Sequence, residues 1–243
     1  MQYWGITDLG CVREQNQDIY QIENLGKDTA LCLVCDGMGG ARAGNVASSL
    51  TAEIFVGEVC KNWKSDMDRT QIDYLLRSAT KEANFRVYDY GQQHEECAGM
   101  GTTLVAALIK GKDVAIVNVG DSRAYRIREN KIQQITVDHS LVEVMVRRGE
   151  LTPEEAKTYP GKNYITRAIG TENIAEIDLF HVDMEGGDFL LLCSDGLSNL
   201  LDDQELLFEV VHSENKAACC ESLLAIAKER GAPDNVTCLL VQL

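Results

Sequence analysis

Three apolar runs of this chain lead into an aspartate: Cys35 is followed by Asp36-Gly37, Val119 by Gly120-Asp121, and Cys193 by Ser194-Asp195-Gly196. A fourth acid, Asp234, immediately precedes the apolar run Val236–Leu243, and Asp18 precedes Ile19–Glu23. If the runs are antiparallel strands, the exit of one lies beside the entry of its neighbour, so all five carboxylates can share one rim. One Asp-Gly pair usually marks no more than a turn. Several coincident acids at strand ends carry a stronger implication, because five carboxylates together repel one another unless cations sit among them. The candidate ligands are hard oxygens, and the chain has only four histidines, none at paired ligand spacing. That chemistry suits Mg²⁺ or Mn²⁺ rather than Zn²⁺. Two such ions, ~3.5–4 Å apart, can share a carboxylate and activate a bridging water. Gly37 is expected to let the backbone turn and to offer its carbonyl as a further ligand.

The run Asp8-Leu9-Gly10-Cys11-Val12-Arg13-Glu14-Gln15-Asn16-Gln17-Asp18 puts a guanidinium five residues before a carboxylate. An arginine there can fork two phosphate oxygens. A loop arginine taken alone is a solvated charge worth little, and it is the surrounding acids that favour the phosphate reading.

These stretches, with Asp36-Gly37-Met38-Gly39-Gly40, Gly101-Thr102-Thr103, Gly120-Asp121-Ser122-Arg123, Asp138-His139-Ser140, Ile165 to Gly170, Ser194-Asp195-Gly196 and Asp234-Asn235-Val236-Thr237, resemble the metal-dependent, type 2C serine/threonine protein phosphatases, particularly their bacterial members. The resemblance spans nearly the whole chain. It implies that Asp36 bridges two ions, that the Gly37 carbonyl binds the first, and that Asp195 and Asp234 bind the second. It further implies that Asp18 holds metal-bound water, that Arg13 grips the substrate phosphate, and that Asp121 joins Asp195 at a weaker third ion, with Asn235 supporting the ligands. The implied reaction is hydrolysis of phosphoserine or phosphothreonine in proteins by in-line attack of the bridging water. Animal relatives are thought to protonate the leaving group from a histidine where this chain has Met38, so a metal-bound water is the expected donor and His139 the second choice. By the same resemblance, phosphoproteins and a cognate serine/threonine kinase are the expected partners.

Three other readings compete. Gly37-Met38-Gly39-Gly40 after an apolar run has the look of a nucleotide-binding turn, but the third fingerprint position falls on Arg42. A calcium-binding structural protein lacks the twelve-residue loop of spaced oxygens. A non-catalytic relative that binds phosphoproteins is the main alternative, and the intact set Asp36, Asp195 and Asp234 argues against it.

The elements that must position these residues follow from periodicity. Strands are predicted at Tyr3–Thr7, Ile19–Glu23 and Ala30–Cys35, then two amphipathic helices in which Val46, Ala47, Leu50, Ile54 and Phe55, and later Ile72, Leu75, Leu76, Ala79, Ala83 and Val87, recur at helical spacing. Strands at Thr102–Ile109, Val114–Val119, Ser122–Arg128 and Lys131–Thr136 read as one sequential meander. A charged helical excursion over about 140–163 follows, the flap of the resemblance. Within it, Arg147 and Arg148 suit a solvated helix face better than a peptide site. Strands at Glu176–Val182, Asp188–Cys193 and Val236–Leu243 enclose helices at Asp203–His212 and Lys216–Arg230. Blocks of strands separated by helix pairs predict an α+β fold, a four-layer α-β-β-α sandwich of two mainly antiparallel sheets. Residues 1–243 are expected to form one domain.

Composition narrows the partners. A net charge of −15 repels phosphate backbones and anionic lipid, so nucleic acid is excluded as an expectation. No apolar run approaches the ~20 residues of a membrane span, and the start has no signal-like pattern, which predicts a cytoplasmic protein with monomer as the default. Most of the nine cysteines sit in apolar runs and read as reduced core residues. Cys32 and Cys35, three apart in a strand, should face opposite ways and hold no zinc. His94, His181 and His212 have no evident partner in the sequence.

Overall fold

The computed structural model describes residues 1–39, 43–213 and 215–243. Gly40, the last residue of the glycine run, and Arg42 lie outside the described residues. In chain order the elements are β1 (Gln2–Asp8), β2 (Asp18–Gly26), β3 (Thr29–Met38), α1 (Ala43–Asn62), α2 (Arg69–Gln93), β4 (Gly101–Thr102), β5 (Leu104–Lys110), β6 (Asp113–Val119), β7 (Arg123–Arg128) and β8 (Lys131–Gln134). They continue as α3 (Leu141–Arg147), α4 (Pro153–Thr158), β9 (Asp178–Asp183), β10 (Phe189–Cys193), α5 (Asp195–Ser198), α6 (Asp203–His212), α7 (Lys216–Glu229) and β11 (Val236–Gln242).

Alternation along the strands builds the layers. In β3, Leu31, Leu33 and Cys35 point to α1 and α2, where they meet Phe55, Leu76 and Ala83, while Cys32 and Val34 point the other way. That second face packs on Leu190, Leu192, Leu239 and Val241 of the other sheet, whose own outer face, Leu191, Cys193, Cys238 and Leu240, is covered by Leu206 and Val210 of α6 and Leu223 of α7. Period-two side chains on strands and a stripe on each helix thus make three apolar seams between four layers, the expected sandwich. Cys32 and Cys35 lie in different seams, as their spacing requires.

One sheet runs β1-β11-β10-β7-β8 and the other β2-β3-β5-β6-β9, with β4 paired to β3, and all these pairings are antiparallel. The predicted meander is therefore corrected. β5 and β6 pair in one sheet, β7 and β8 in the other, and the chain changes sheets at Gly120-Asp121-Ser122. Gly120 sits at φ +112°, a conformation that glycine alone adopts without strain, and this corner carries Asp121 to the edge of both sheets. The predicted strand Thr102–Ile109 is also broken, at Thr103, whose hydroxyl turns to the backbone of β3 instead.

Helix starts are written locally. Asp68 with Gln71, Thr152 with Glu155, and Asp202 with Glu205 form capping boxes for α2, α4 and α6, and Pro153 opens α4. The excursion consists of α3 and α4. In it Arg147 pairs with Glu143 at 2.8 Å on the same helix and Arg148 is exposed, which fits the solvated-face reading. The three histidines without evident partners lie close to polar groups: His94 Nδ1 3.0 Å from Tyr90 O, His212 Nδ1 3.0 Å from Phe208 O, and His181 Nε2 2.8 Å from Asp73 Oδ1.

Candidate active site

Asp18 opens β2 and lies directly opposite Asp36 of β3 in the antiparallel register. Asp36 is inside its strand, not beyond it, because β3 continues through Gly37 and Met38 to pair with β4. Gly37 consequently makes no turn, which corrects the sequence expectation. A glycine is required there because any Cβ would collide with the carbonyl oxygen of Gly44 at the start of α1. The turn comes at Gly39, with φ +123°.

Asp195 begins α5 immediately after β10, Asp234 lies just before β11, and those two strands are hydrogen-bonded neighbours. Together with Asp121 at the sheet-changing corner, these acids line one cleft of about 500 Å³, joined by Arg13, Gly37, Met38, Thr103 and, from the far side, Asn163 and Ile165. The predicted site residues that lie at this cleft come from both sheets. Asp18 is set beneath it, only 7% exposed.

Burial dominates the electrostatics. It pushes the Asp18 carboxyl up to about 7, with the charges of Asp195 and Asp234 adding to the effect against hydrogen bonds from Ser194 and Thr237. Burial and the Asp195 charge lift Asp121 to about 8, Asp36 is raised by burial and by the acids around it, and Asp195 is raised by burial and by Asp234 against a hydrogen bond with Asp36. Asp18 Oδ1 and Asp195 Oδ1 are buried with no hydrogen-bond donor, an arrangement that costs free energy unless a cation meets it. Arg13, half exposed, reaches Asp234 Oδ2 at 2.7 Å and is the one cation bonded to these five acids among the described residues. Among the described residues no three acid, histidine or cysteine side chains already converge as a ligand shell. An all-carboxylate donor set with orphaned buried oxygens fits hard divalent ions.

Hydroxyls that sequence reading passed over hold these acids in place, together with Asn235, the expected support. The Asp36 backbone N–H donates to Thr103 Oγ1 at 2.9 Å, Thr102 Oγ1 donates to Asp36 O at 2.9 Å, and Thr103 Oγ1 is 2.7 Å from Ser122 Oγ. Ser194 Oγ donates to Asp18 Oδ2 at 2.7 Å and accepts from the Thr237 N–H at 3.0 Å. Asn235 donates to the carbonyls of Leu9 and Gln15 at 2.9 and 3.0 Å and accepts from the Gln17 N–H at 2.9 Å. It thereby ties both ends of the Arg13 loop to the Asp234 turn. Nothing in the residue types of Thr102, Thr103, Ser122 or Ser194 sets them apart from ordinary strand residues. Their only signal is adjacency to an acid.

His139 is buried, 6% exposed, and does not line the cleft. Both ring nitrogens are occupied, Nδ1 by the Gly120 N–H at 3.0 Å and Nε2 by Asp178 Oδ2 at 3.1 Å. Burial holds its imidazole below the ordinary value, and Arg167 adds to this against the pull of Asp178. It is not a proton donor to a group in the cleft.

This two-sheet sandwich with an acid-lined cleft at its edge has a counterpart among known proteins. Residues 12–225 match the family model described as protein phosphatase 2C. The serine/threonine phosphatase stp of Listeria monocytogenes is 36% identical over 236 residues, covering 97% of this chain and 93% of the relative. The protein phosphatase PhpP of Streptococcus pneumoniae is 36% identical over 246 residues, covering 98% and 96%. The crystal structure of the serine/threonine phosphatase Stp1 from Staphylococcus aureus superposes with a TM-score of 0.94 at 38% identity, covering 100% of this chain and 94% of that one. The chain belongs to the protein phosphatase 2C family. It is an enzyme, a serine/threonine protein phosphatase.

Proposed function

We propose that this phosphatase hydrolyses phosphoserine and phosphothreonine in proteins at a centre for two divalent cations, Mn²⁺ or Mg²⁺. Asp36, the Gly37 carbonyl, Asp195 and Asp234 hold the pair, Asp18 lies beneath them, and Asp121 with Asp195 takes a weaker third. The observation that carries this is the convergence of Asp36, Asp121, Asp195 and Asp234 on one cleft with Asp18 beneath them, the buried oxygens of Asp18 and Asp195 left unpartnered. When bound, the ions would supply an activated water for in-line attack and positive charge to offset that gained by the phosphoryl oxygens. The residues of the chain do the rest. Arg13, anchored on Asp234 but with its side chain 52% exposed, is free to swing and fork two phosphate oxygens. The Thr102 and Thr103 clamps fix the Asp36 backbone, so that its carboxylate is held in place before substrate arrives. Asn235 sets the Arg13 loop relative to Asp234. Met38 lines the cleft and has no proton to give, and His139 is occupied elsewhere, so the leaving group takes its proton from water.

We read residues 1–243 as one domain with a flap over about 140–163, acting as a monomer in the cytoplasm on phosphoproteins, opposite a serine/threonine kinase. In support, no helix among the described residues is long and apolar enough to cross a membrane, and the seam between the sheets draws on strands from both ends of the chain.

Hydrolysis of a phosphothreonine peptide tests the reading directly. Activity is expected with Mn²⁺ and none in a chelator, with Asp195→Asn inactive under both conditions while keeping its fold. Turnover in chelator, or an active Asp195→Asn, would contradict it.

The same acids set a pH dependence. Asp18 at about 7 and Asp121 at about 8 lie above the ~3.9 of an unfolded aspartate. Between about pH 4 and 8 the folded, metal-free protein therefore holds protons that the unfolded chain has released. Its stability is greatest at the acidic end of that window and falls as pH rises through it. Divalent ions compete with those protons, so the gain in melting temperature from Mn²⁺ should be larger at pH 8 than at pH 5.5. A gain that shrinks as pH rises would contradict this account.

A further inference from the structure

His139 is bound to Gly120 twice. Its backbone N–H donates to Gly120 O at 3.0 Å, and its ring Nδ1 accepts from the Gly120 N–H at 3.0 Å. A backbone N–H can only donate, so Nδ1 carries no proton and the neutral ring bears its hydrogen on Nε2. That N–H points to Asp178 Oδ2 at 3.1 Å. Arg167 Nη1 lies 3.1 Å from Nε2 and 3.1 Å from Asp178 Oδ1, and since both nitrogens are donors, the carboxylate is the partner of each. On its other side the His139 carbonyl accepts from the Thr166 N–H at 2.7 Å, where the chain returns from the flap, and the next residue, Ser140, bridges to Ile165.

Gly120, at φ +112°, is the freest backbone position of the sheet-changing corner, and Asp121 follows it directly. His139 holds both polar groups of Gly120, whose carbonyl also accepts from Asn118 Nδ2 at 3.2 Å, so the peptide planes on either side of it are fixed, and so is the direction in which Asp121 leaves the corner. We propose that His139 is a positioning residue whose proton-free Nδ1 latches the Gly120 amide, aims Asp121 into the cleft, and ties that aim to the base of the flap. The inference rests on the reading of Asp121 as a cation-binding residue. Residues that orient metal ligands in this way typically account for ~10–100-fold in metal affinity.

The test is calorimetric titration of Mn²⁺ into the full chain and into Asp121→Ala, His139→Asn and His139→Gln, with a melting curve for each. Asparagine can place its Oδ1 where Nδ1 was and keep the acceptor for Gly120. Glutamine reaches toward Asp178 and loses it. The weakest Mn²⁺ site is expected to vanish in Asp121→Ala, to weaken ~10-fold or more in His139→Gln, and to stay within ~3-fold of wild type in His139→Asn. A role confined to packing or to the Asp178 and Arg167 cluster would spare the glutamine variant, and that pattern rejects the inference. If Asp121→Ala keeps the weak site, the assignment of Asp121 fails and the inference falls with it. If Asp121→Ala loses the site while His139→Gln retains it in full, the inference alone fails. Long-range ¹H–¹⁵N correlation on the unaltered protein reads the latch without any substitution. The Nε2–H tautomer is expected at neutral pH, and an Nδ1–H tautomer would overturn the proposal.

Discussion

Asp36→Asn is expected to abolish turnover while raising the melting temperature of the metal-free protein. The two effects have one cause. Asp36 is held up by burial and by Asp18, Asp195, Asp121 and Asp234 around it, so its ionised form is disfavoured until a cation arrives. An asparagine of nearly the same shape keeps the backbone bonds to Thr102 and Thr103 and is neutral without cost, whereas the buried carboxyl must be held protonated far above its ordinary value. Relief of about 1 kcal/mol would raise the melting point by ~2–4 °C in a protein of this size. With Mn²⁺ present the order reverses, because the amide oxygen is a poorer ligand for a hard divalent ion and cannot offset its charge. Losing a shared ligand forfeits several kcal/mol of transition-state stabilisation, and about 4 kcal/mol corresponds to a factor of ~10³ in rate. Peptide hydrolysis and thermal melts with and without Mn²⁺ check both halves. An Asp36→Asn protein that melts lower without metal would show that the carboxylate earns its place structurally, and that the cluster is not in electrostatic conflict.

The second large effect falls on folding. Gly196 follows Asp195 at the start of α5, and a Cβ built there would collide with the backbone carbonyl oxygen of Asn235. Neither partner can yield cheaply. Asn235 is held by bonds to Leu9, Gln15 and Gln17, and α5 is buried at Gly196 and Leu197. Gly196→Ala is therefore expected to cost at least about 3 kcal/mol, the upper range for overpacking, which lowers the melting temperature by ~6–12 °C. Whatever displacement relieves the clash must also part Asp195 from Asp234, so activity should fall even where the protein stays folded. Gly57→Ala on the exposed side of α1 serves as the control, since nothing lies within 4 Å of its added methyl. It should gain ~0.5–1 kcal/mol from the better helix former. Calorimetric melts of the two variants distinguish the outcomes, and a Gly196→Ala protein with unchanged melting and turnover would refute the close approach described for α5 and Asn235.

Asp36, Asp121, Asp195 and Asp234 were legible in the sequence as a set because an apolar run bounded by an acid is a visible signature, even though Asp36 proves to lie inside β3. Repulsion among such acids then implies a cation without any coordinates. The layers were legible for a similar reason, since period-two strands and helical stripes record which face is buried. Thr103, Ser122, Ser194 and His139 were not legible in their roles. Their side chains act on backbone groups brought near only by folding, as when Thr103 meets Asp36 across 67 residues or Ser194 meets Asp18 across 176. The sheet change at Gly120 was misread as a meander because strand pairing depends on where a corner sends the chain, and a single left-handed glycine looks like any tight turn in one dimension.

Local chemistry thus picked out from the sequence alone the acids that the fold gathers at one cleft and the arginine beside them, because charge, donor type and periodicity are properties of the residues themselves. Only the tertiary structure decided how those residues face one another. It made Gly37 a point of contact with α1 where a turn was expected, turned His139 away from the cleft, and set Asn235 between two loops, because close approach and hydrogen-bond partnership exist only between segments that packing has brought together.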